Sequence, residues 1–339
     1  LSGMLLNNSP QENYVPHVYI DCANGVGAEK MNQLIRVFLA PLSALQFDLI
    51  NKGEGELNHQ CGADFVKISQ ALPANFDNVA VGKKCAVFDG DADRLVYFYP
   101  KEDGKIELLD GDKIAVLLAK FYIDHLNELG KRDEFSFAII QTAYANGASS
   151  EYIRRHLGVE PVFVPTGVKH LHHEAVKHDI GVYFEANGHG TIVFSHDFKM
   201  FVLNNRAPAA VRLRYMGRVI NDTVGDAIAD LLAVECALRY YDWSIQMWAD
   251  MYKEYPNRQI KVPVEDRSLY KTTHDETRLI EPAHLQEKID ELVKLTGAGT
   301  RAFVRPSGTE NIVRVYAEAP TEELANGLAE EIERLVKGE

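Results

Sequence analysis

The run Phe88-Asp89-Gly90-Asp91-Ala92-Asp93-Arg94 sets three carboxylates at every second position directly after an apolar stretch, with a glycine that lets the chain turn sharply. Hard oxygen donors so spaced suit a divalent ion such as Mg2+, which takes few carboxylates and leaves room for a phosphate oxygen. An EF-hand loop beginning at Asp89 would need Gly at its sixth position and Glu at its twelfth, where Arg94 and Pro100 stand. A solvated acidic turn is the plain alternative, but acids that follow an apolar strand favour the metal.

A second group is Arg305-Pro306-Ser307-Gly308-Thr309-Glu310 with Arg314 close behind. Two guanidinium groups, two hydroxyls and a conformationally free glycine are what a phosphate needs: forked donors, hydroxyl donors and open backbone N–H groups. The same letters also make an ordinary strand-connecting turn. Gly181 to Ser195 reads as a β-hairpin, because Asn187-Gly188 lies between two β-prone runs. Its tip carries Glu185, Asn187 and His189, which offer a carboxylate, an amide and an imidazole to a polyhydroxyl ligand or a proton transfer.

Thr166 to His173 is rich in histidine, but at helical spacing His172 leaves the face shared by His170 and His173, so a three-histidine metal site is not expected there. Lys169 remains as an anion contact. Asp21 to Ala28 (DCANGVGA) hints at a dinucleotide-binding turn, yet its third glycine position holds Lys30. An Asp-x-Asp strand end is also the mark of haloacid-dehalogenase-type phosphatases, with Asp89 as nucleophile. Asp93 stands where that pattern has Thr or Val.

Positioning these groups requires strands that deliver them and helices that cover the strands. Apolar periodicity predicts strands at His17–Asp21, Leu45–Ile50, Lys84–Asp89, Leu95–Tyr99, Ser136–Gln141, Pro161–Val164 and Gly181–Glu185. Helices are expected at Ala28–Phe38, Lys113–Leu129, Ser149–Leu157 and Lys169–Lys177. Such alternation argues for mainly parallel sheets with helices on both faces. The pattern decays from Phe198 to Asp222, where no element is assigned. An amphipathic helix follows from Val224, and Ser244 opens another. Composition shifts at Pro256, after which a strand (Gln259–Val264), a helix (Ala283–Leu295), two strands around Pro306–Asn311 and a helix from Thr321 are expected.

The 339 residues, 46% of them hydrophobic and 25% charged, exclude a disordered or low-complexity chain. No apolar run nears the roughly 20 residues of a membrane span, so the chain reads as soluble. With 36 Lys+Arg against 49 Asp+Glu the net charge is −13, which argues against a nucleic-acid partner. Cys22, Cys61, Cys85 and Cys236 are scattered without a pairing pattern, as expected of reduced thiols in the cytoplasm. The opening residues Leu1 to Pro16 do not read as a secretory signal.

Taken in order, DCANGVGA, FDGDADR, TGVKHLHH, YFEANGHG and FVRPSGTENIVRVYAEA resemble the α-D-phosphohexomutase superfamily, over nearly the whole chain. The asparagine of EANGHG, where glucose and mannose mutases usually carry Ser, is similar to the acetylglucosamine branch. The resemblance implies two related α/β domains with mixed, mainly parallel sheets (1–107 and 108–255) and a smaller C-terminal α+β domain (256–339). It implies Mg2+ on Asp89, Asp91 and Asp93, and Arg94 beside the transferred phosphoryl group. Glu185, Asn187 and Gly188 would meet the sugar hydroxyls, with His189 and Lys169 as proton-transfer or positioning groups. Arg305, Ser307, Gly308, Thr309 and Arg314 would grip the phosphate that stays. The implied reaction exchanges N-acetylglucosamine 6-phosphate and 1-phosphate through a phosphoserine and a bisphosphate intermediate, in a monomer without membrane or nucleic-acid partners. The family's Thr-Ala-Ser-His-Asn-Pro-like nucleophile loop has no counterpart in these residues. The expectation is therefore a C-terminal portion carrying metal, sugar and phosphate sites, with a non-catalytic sugar-phosphate binding protein as the alternative.

Overall fold

The computed structural model describes residues 11–39 and 45–338, so the expectation for the opening segment falls mainly outside the described residues. The chain divides into two compact units, residues 1–140 with 172–251 and residues 141–171 with 252–339.

In the first unit a five-stranded sheet runs in the order Gln46–Ile50, His17–Asp21, Cys85–Phe88, Leu95–Pro100, Ile106–Leu109. His17–Asp21 pairs in parallel with both neighbours, whereas the last two pairings are antiparallel. The turns at Asp89–Arg94 and around Gly104 are too short for the crossover that parallel pairing demands, so they make hairpins. All of Cys85–Phe88 is buried, as a central strand covered on both faces must be. Below the sheet, Val87, Val96 and Phe98 pack with Val66 and Phe76. A second sheet repeats the mixture: Phe137–Gln141 lies parallel to Ile180–Phe184, which pairs antiparallel with Gly190–Phe194. Helix Gly111–Glu128 is capped by Asp110, whose side chain accepts from the N–H of Asp112.

Residues 198–222, unassigned from sequence, hold parts of two helices, His196–Asn204 and Pro208–Val219. The second buries Ala209, Ala210, Leu213 and Met216, a helical stripe whose small alanines carry little hydrophobic signal beside three arginines. Pro208 sits at its first turn, where a missing N–H costs nothing. Helix Ala227–Tyr241 follows, capped by Asp226.

In the second unit, Asn257–Pro263 and Arg301–Pro306 flank Ile312–Glu318 in an antiparallel sheet. Strand alternation divides its residues by face. Ala302, Val304, Val313, Val315 and Ala317 meet Leu285 and Ile289 of helix Ala283–Thr296 and Leu328 and Ile332 of helix Glu322–Lys337. The opposite face carries Arg301, Phe303 and Arg305 directly across from Glu318, Tyr316 and Arg314. The last helix begins where expected: Thr321 caps it, Glu322 and Glu323 occupy its first turn and Arg334 and Lys337 its last. Among the described residues no helix is long and apolar enough to cross a membrane.

Candidate active site

In the first unit, strand Cys85–Phe88 delivers Asp89 at its C-terminal end. One Asp89 oxygen accepts from the N–H groups of Asp93 and Arg94 at 3.0 and 3.1 Å, and the Asp89 carbonyl accepts from Ala92 at 3.1 Å. The loop is thereby folded back on its own first residue. Asp21–Ala28 buttresses it from behind. Val26 donates to the Gly90 carbonyl at 3.0 Å, and a Cβ on Gly25 would lie 2.1 Å from that same oxygen. The glycine in DCANGVGA thus serves close backbone approach.

One oxygen from each of Asp89, Asp91 and Asp93 lies within 4.8 Å of the others. Ligands at about 2.1 Å from one Mg2+ stand about 3–4 Å apart, so the three carboxylates lie near the spacing of a shared ion and could close on one. Two observations of the chain's own chemistry agree. Asp93 Oδ1 is buried with no hydrogen-bond partner, and burial, followed by repulsion from Asp93, pushes the Asp89 carboxyl up to about 7. Buried acids without enough donors suit a cation.

Arg94 leaves the loop toward Asp64, to which its Nη1 donates at 2.6 Å. Its Nε lies 3.6 Å from Asp89 and 3.8 Å from Asp93. His189 Nδ1 is 3.0 Å from Asp93 Oδ2. This contact sets the imidazole directly against the Asp93 carboxylate.

Residues Glu185–His189 close on themselves. Gly188 N–H donates to the Glu185 carbonyl and Glu185 N–H to the His189 carbonyl, both at 2.8 Å, while Asn187 Oδ1 accepts from His189 N–H at 3.1 Å. Leu95 N–H donates to the Gly188 carbonyl at 3.1 Å, and a Cβ at Gly188 (φ +90°) would stand 2.1 Å from the Leu95 carbonyl oxygen. This contact joins the hairpin tip to the strand leaving the acidic loop, so Glu185, Asn187 and His189 are held beside Asp93 and Arg94.

Sequence reasoning missed the segment Asn221–Ala227. Ala227 N–H donates to the Ala92 carbonyl at 3.0 Å, and Thr191 donates to the Asn221 carbonyl at 2.7 Å. A Cβ on Gly225 would sit 3.0 Å from His189 Nε2. Its contribution is backbone and the absence of a side chain, which no residue-type search detects. The one available signal was Gly225 just before the helix-capping Asp226. Ser195, the only serine followed by histidine, donates to Asp179 and caps helix His196–Asn204, a structural role.

The second unit holds the anion group. Arg305 and Arg314 are direct cross-strand partners, and Arg314 is in turn opposite Lys261. Like charges in register repel, and a bound anion relieves that repulsion. Lys261 was not singled out from sequence. Arg305 and Ser307 are buried, whereas Gly308 and Thr309 are exposed. Ser307 Oγ accepts from the N–H groups of Thr309 and Glu310, each at 3.4 Å, and Arg267 Nη1 donates to the Ser307 carbonyl at 2.7 Å. Lys169 is exposed in the first turn of helix Val168–Ala175. Of the neighbouring histidines, His172 bonds the Tyr183 hydroxyl at 3.0 Å, and the only potential metal cluster among the described residues is the aspartate one.

Residues 8–96 match the family description "Phosphoacetylglucosamine mutase AMG1, domain II", residues 110–243 match its domain III, and residues 260–335 match "Phosphoglucomutase/phosphomannomutase, C-terminal domain". A phosphoacetylglucosamine mutase of Arabidopsis thaliana is 46% identical over 95% of this chain and 61% of its own length. That of Homo sapiens is 45% identical over 92% of the chain and 58% of its own length. The chain therefore spans about three fifths of the curated relatives it matches. The crystal structure of Aspergillus fumigatus N-acetylphosphoglucosamine mutase in complex with GlcNAc-6P and magnesium is 39% identical, with a TM-score of 0.91 over 99% of this chain and 68% of that one. An N-acetylglucosamine-phosphate mutase in a substrate complex is 41% identical with a TM-score of 0.89 over 99% of this chain and 65% of that one. On these matches, this chain belongs to the phosphoacetylglucosamine mutase family of the phosphohexomutase superfamily.

Proposed function

We propose that this chain carries the metal-, sugar- and phosphate-binding parts of an enzyme that interconverts N-acetylglucosamine 6-phosphate and N-acetylglucosamine 1-phosphate by way of a phosphoserine and a bisphosphate intermediate. The observation that carries the reading is the aspartate triplet with its orphaned Asp93 oxygen. Asp89, Asp91 and Asp93 would hold Mg2+, which when bound supplies positive charge beside a phosphoryl group.

The chain's own groups do the rest. Arg94 offers its guanidinium, already anchored by Asp64, to the transferring phosphoryl oxygens. His189 keeps Asp93 oriented and, with Lys169, is placed among the proton-transfer or positioning groups. Glu185 accepts from sugar hydroxyls, and Asn187 retains its amide N–H donors for the ring because its oxygen is spent on His189 N–H. Arg305, Ser307, Gly308, Thr309 and Arg314 take the phosphate that is not transferred. No Thr-Ala-Ser-His-Asn-Pro-like stretch occurs in these 339 residues, so the phosphoserine is assigned to sequence other than this. The four free, buried cysteines support a reducing compartment, the cytoplasm.

The test is phosphate-isomer exchange by the full-length protein. Asp91→Asn should lower turnover by at least about a thousandfold at saturating Mg2+, since a lost ligand removes charge stabilisation at the reacting phosphate. A normal rate in that variant removes the metal assignment.

A further inference from the structure

Glu276 lies in the hairpin between Lys271–Thr272 and Leu279–Glu281 with φ +59°. A left-handed conformation is uphill for a residue with a side chain, and such strain gathers at working sites. The turn sustains it through Asp275, whose carboxylate accepts from the hydroxyls of Thr273 and Thr277. What the strained residue presents is a single carboxylate oxygen with three donors on it. Thr166 gives its N–H at 3.0 Å and its hydroxyl at 2.6 Å, and Arg305 gives Nη1 at 3.1 Å.

Arg305 is only 8% exposed, yet its Nε is buried without a hydrogen-bond partner. Holding Nη1 leaves the Nε–Nη2 edge of the guanidinium, the fork that two oxygens of one phosphate match. A buried donor left unbonded is costly unless a ligand takes it. Thr166, tied to the same oxygen, precedes Lys169 by one short turn.

We propose that Glu276 is the positioning residue of the phosphate clamp: it fixes Arg305 through Nη1, keeps the Nε edge for the incoming phosphate, and fastens the Thr166–Lys169 stretch to the same point. This rests on the reading of Arg305 as a phosphate ligand. Glu276 itself touches no phosphate in this scheme, and its effect passes through the arginine.

Calorimetric titration of the chain with N-acetylglucosamine 6-phosphate separates the two claims in Arg305→Ala, Glu276→Ala, the double variant and Glu276→Gln, with thermal unfolding of each as the folding check. Arg305→Ala should weaken binding by more than about tenfold and Glu276→Ala by about tenfold, with the double variant no weaker than Arg305→Ala alone. Glu276→Gln, which keeps an acceptor oxygen at the same reach, should recover part of the loss and serves also should the alanine variant not fold. Unchanged or tighter binding by Glu276→Ala, or losses that add, would overturn the inference while leaving the clamp standing. Unchanged binding by Arg305→Ala would remove the clamp, and Glu276's role with it.

Discussion

Arg305 and Arg314 illustrate how a residue's partner across a sheet sets its meaning. Each alone is a basic side chain near a turn; in register, with Lys261 next in the same rung, they concentrate three cations on one face. Arg314→Ala should weaken binding of N-acetylglucosamine 6-phosphate by about ten- to a hundredfold, the loss of a charge-assisted hydrogen bond. Lys261→Ala, at the exposed end of the rung, should cost about threefold. Calorimetry of both variants measures the gradient; equal losses, or none, would show that the rung does not act as a graded anion site. The acidic triplet was readable because its chemistry is carried by residue type and spacing. The same holds for Arg305, which residue type and spacing single out, whereas Glu276 was not singled out, because nothing local links it to an arginine 29 residues away.

At the scale of elements, the glycines decide which segments meet. Gly225→Ala should push a Cβ to within 3.0 Å of His189 Nε2 and so turn the imidazole away from Asp93. Metal affinity should fall about tenfold, as for other groups that orient a metal ligand, and a Mn2+ titration reads it. Helix Gly111–Glu128 carries a different test. His125 Nδ1 meets the Phe121 carbonyl at 2.6 Å while Nε2 accepts from Arg212 Nε at 2.7 Å, so the neutral ring is fully used. Burial foremost, and Arg212 as well, lower its pKa, against the opposing Phe121 carbonyl, Glu128 and Asp124. The unfolded chain takes up this proton near 6.5 and the folded chain resists it, so stability is intact above about pH 6.5 and declines as pH falls below, by at most about 1.4 kcal/mol per unit. His125→Gln should flatten that slope in pH-dependent unfolding; an unaltered slope would assign it elsewhere. Most strands and the long helices were legible because burial imposes a period of 2 or 3.6 on them. Helix Pro208–Val219 was not, since alanines form much of its buried stripe, and the antiparallel pairing of Cys85–Phe88 with Leu95–Pro100 is set by turn length, which alternation of elements alone does not report, whereas Asn187-Gly188 announced the hairpin of Ile180–Phe184 with Gly190–Phe194.

For the whole molecule, the chain spans about three fifths of its curated relatives, and the function proposed for it is one of binding and orientation: a cation on three aspartates, sugar hydroxyls at a hairpin tip, a phosphate on an arginine rung. In a chain of net charge −13, Arg305, Arg314 and Lys261 gathered on one sheet face make a local positive patch suited to a small anion. The proposed phosphoryl transfer depends first on a cation at the three aspartates. The most direct test is anomalous scattering from crystals of this chain grown with Mn2+ and N-acetylglucosamine 6-phosphate. A single strong peak about 2.1–2.3 Å from oxygens of Asp89, Asp91 and Asp93 is expected. A fully occupied Mn2+ elsewhere, with those three carboxylates unliganded, would contradict the account.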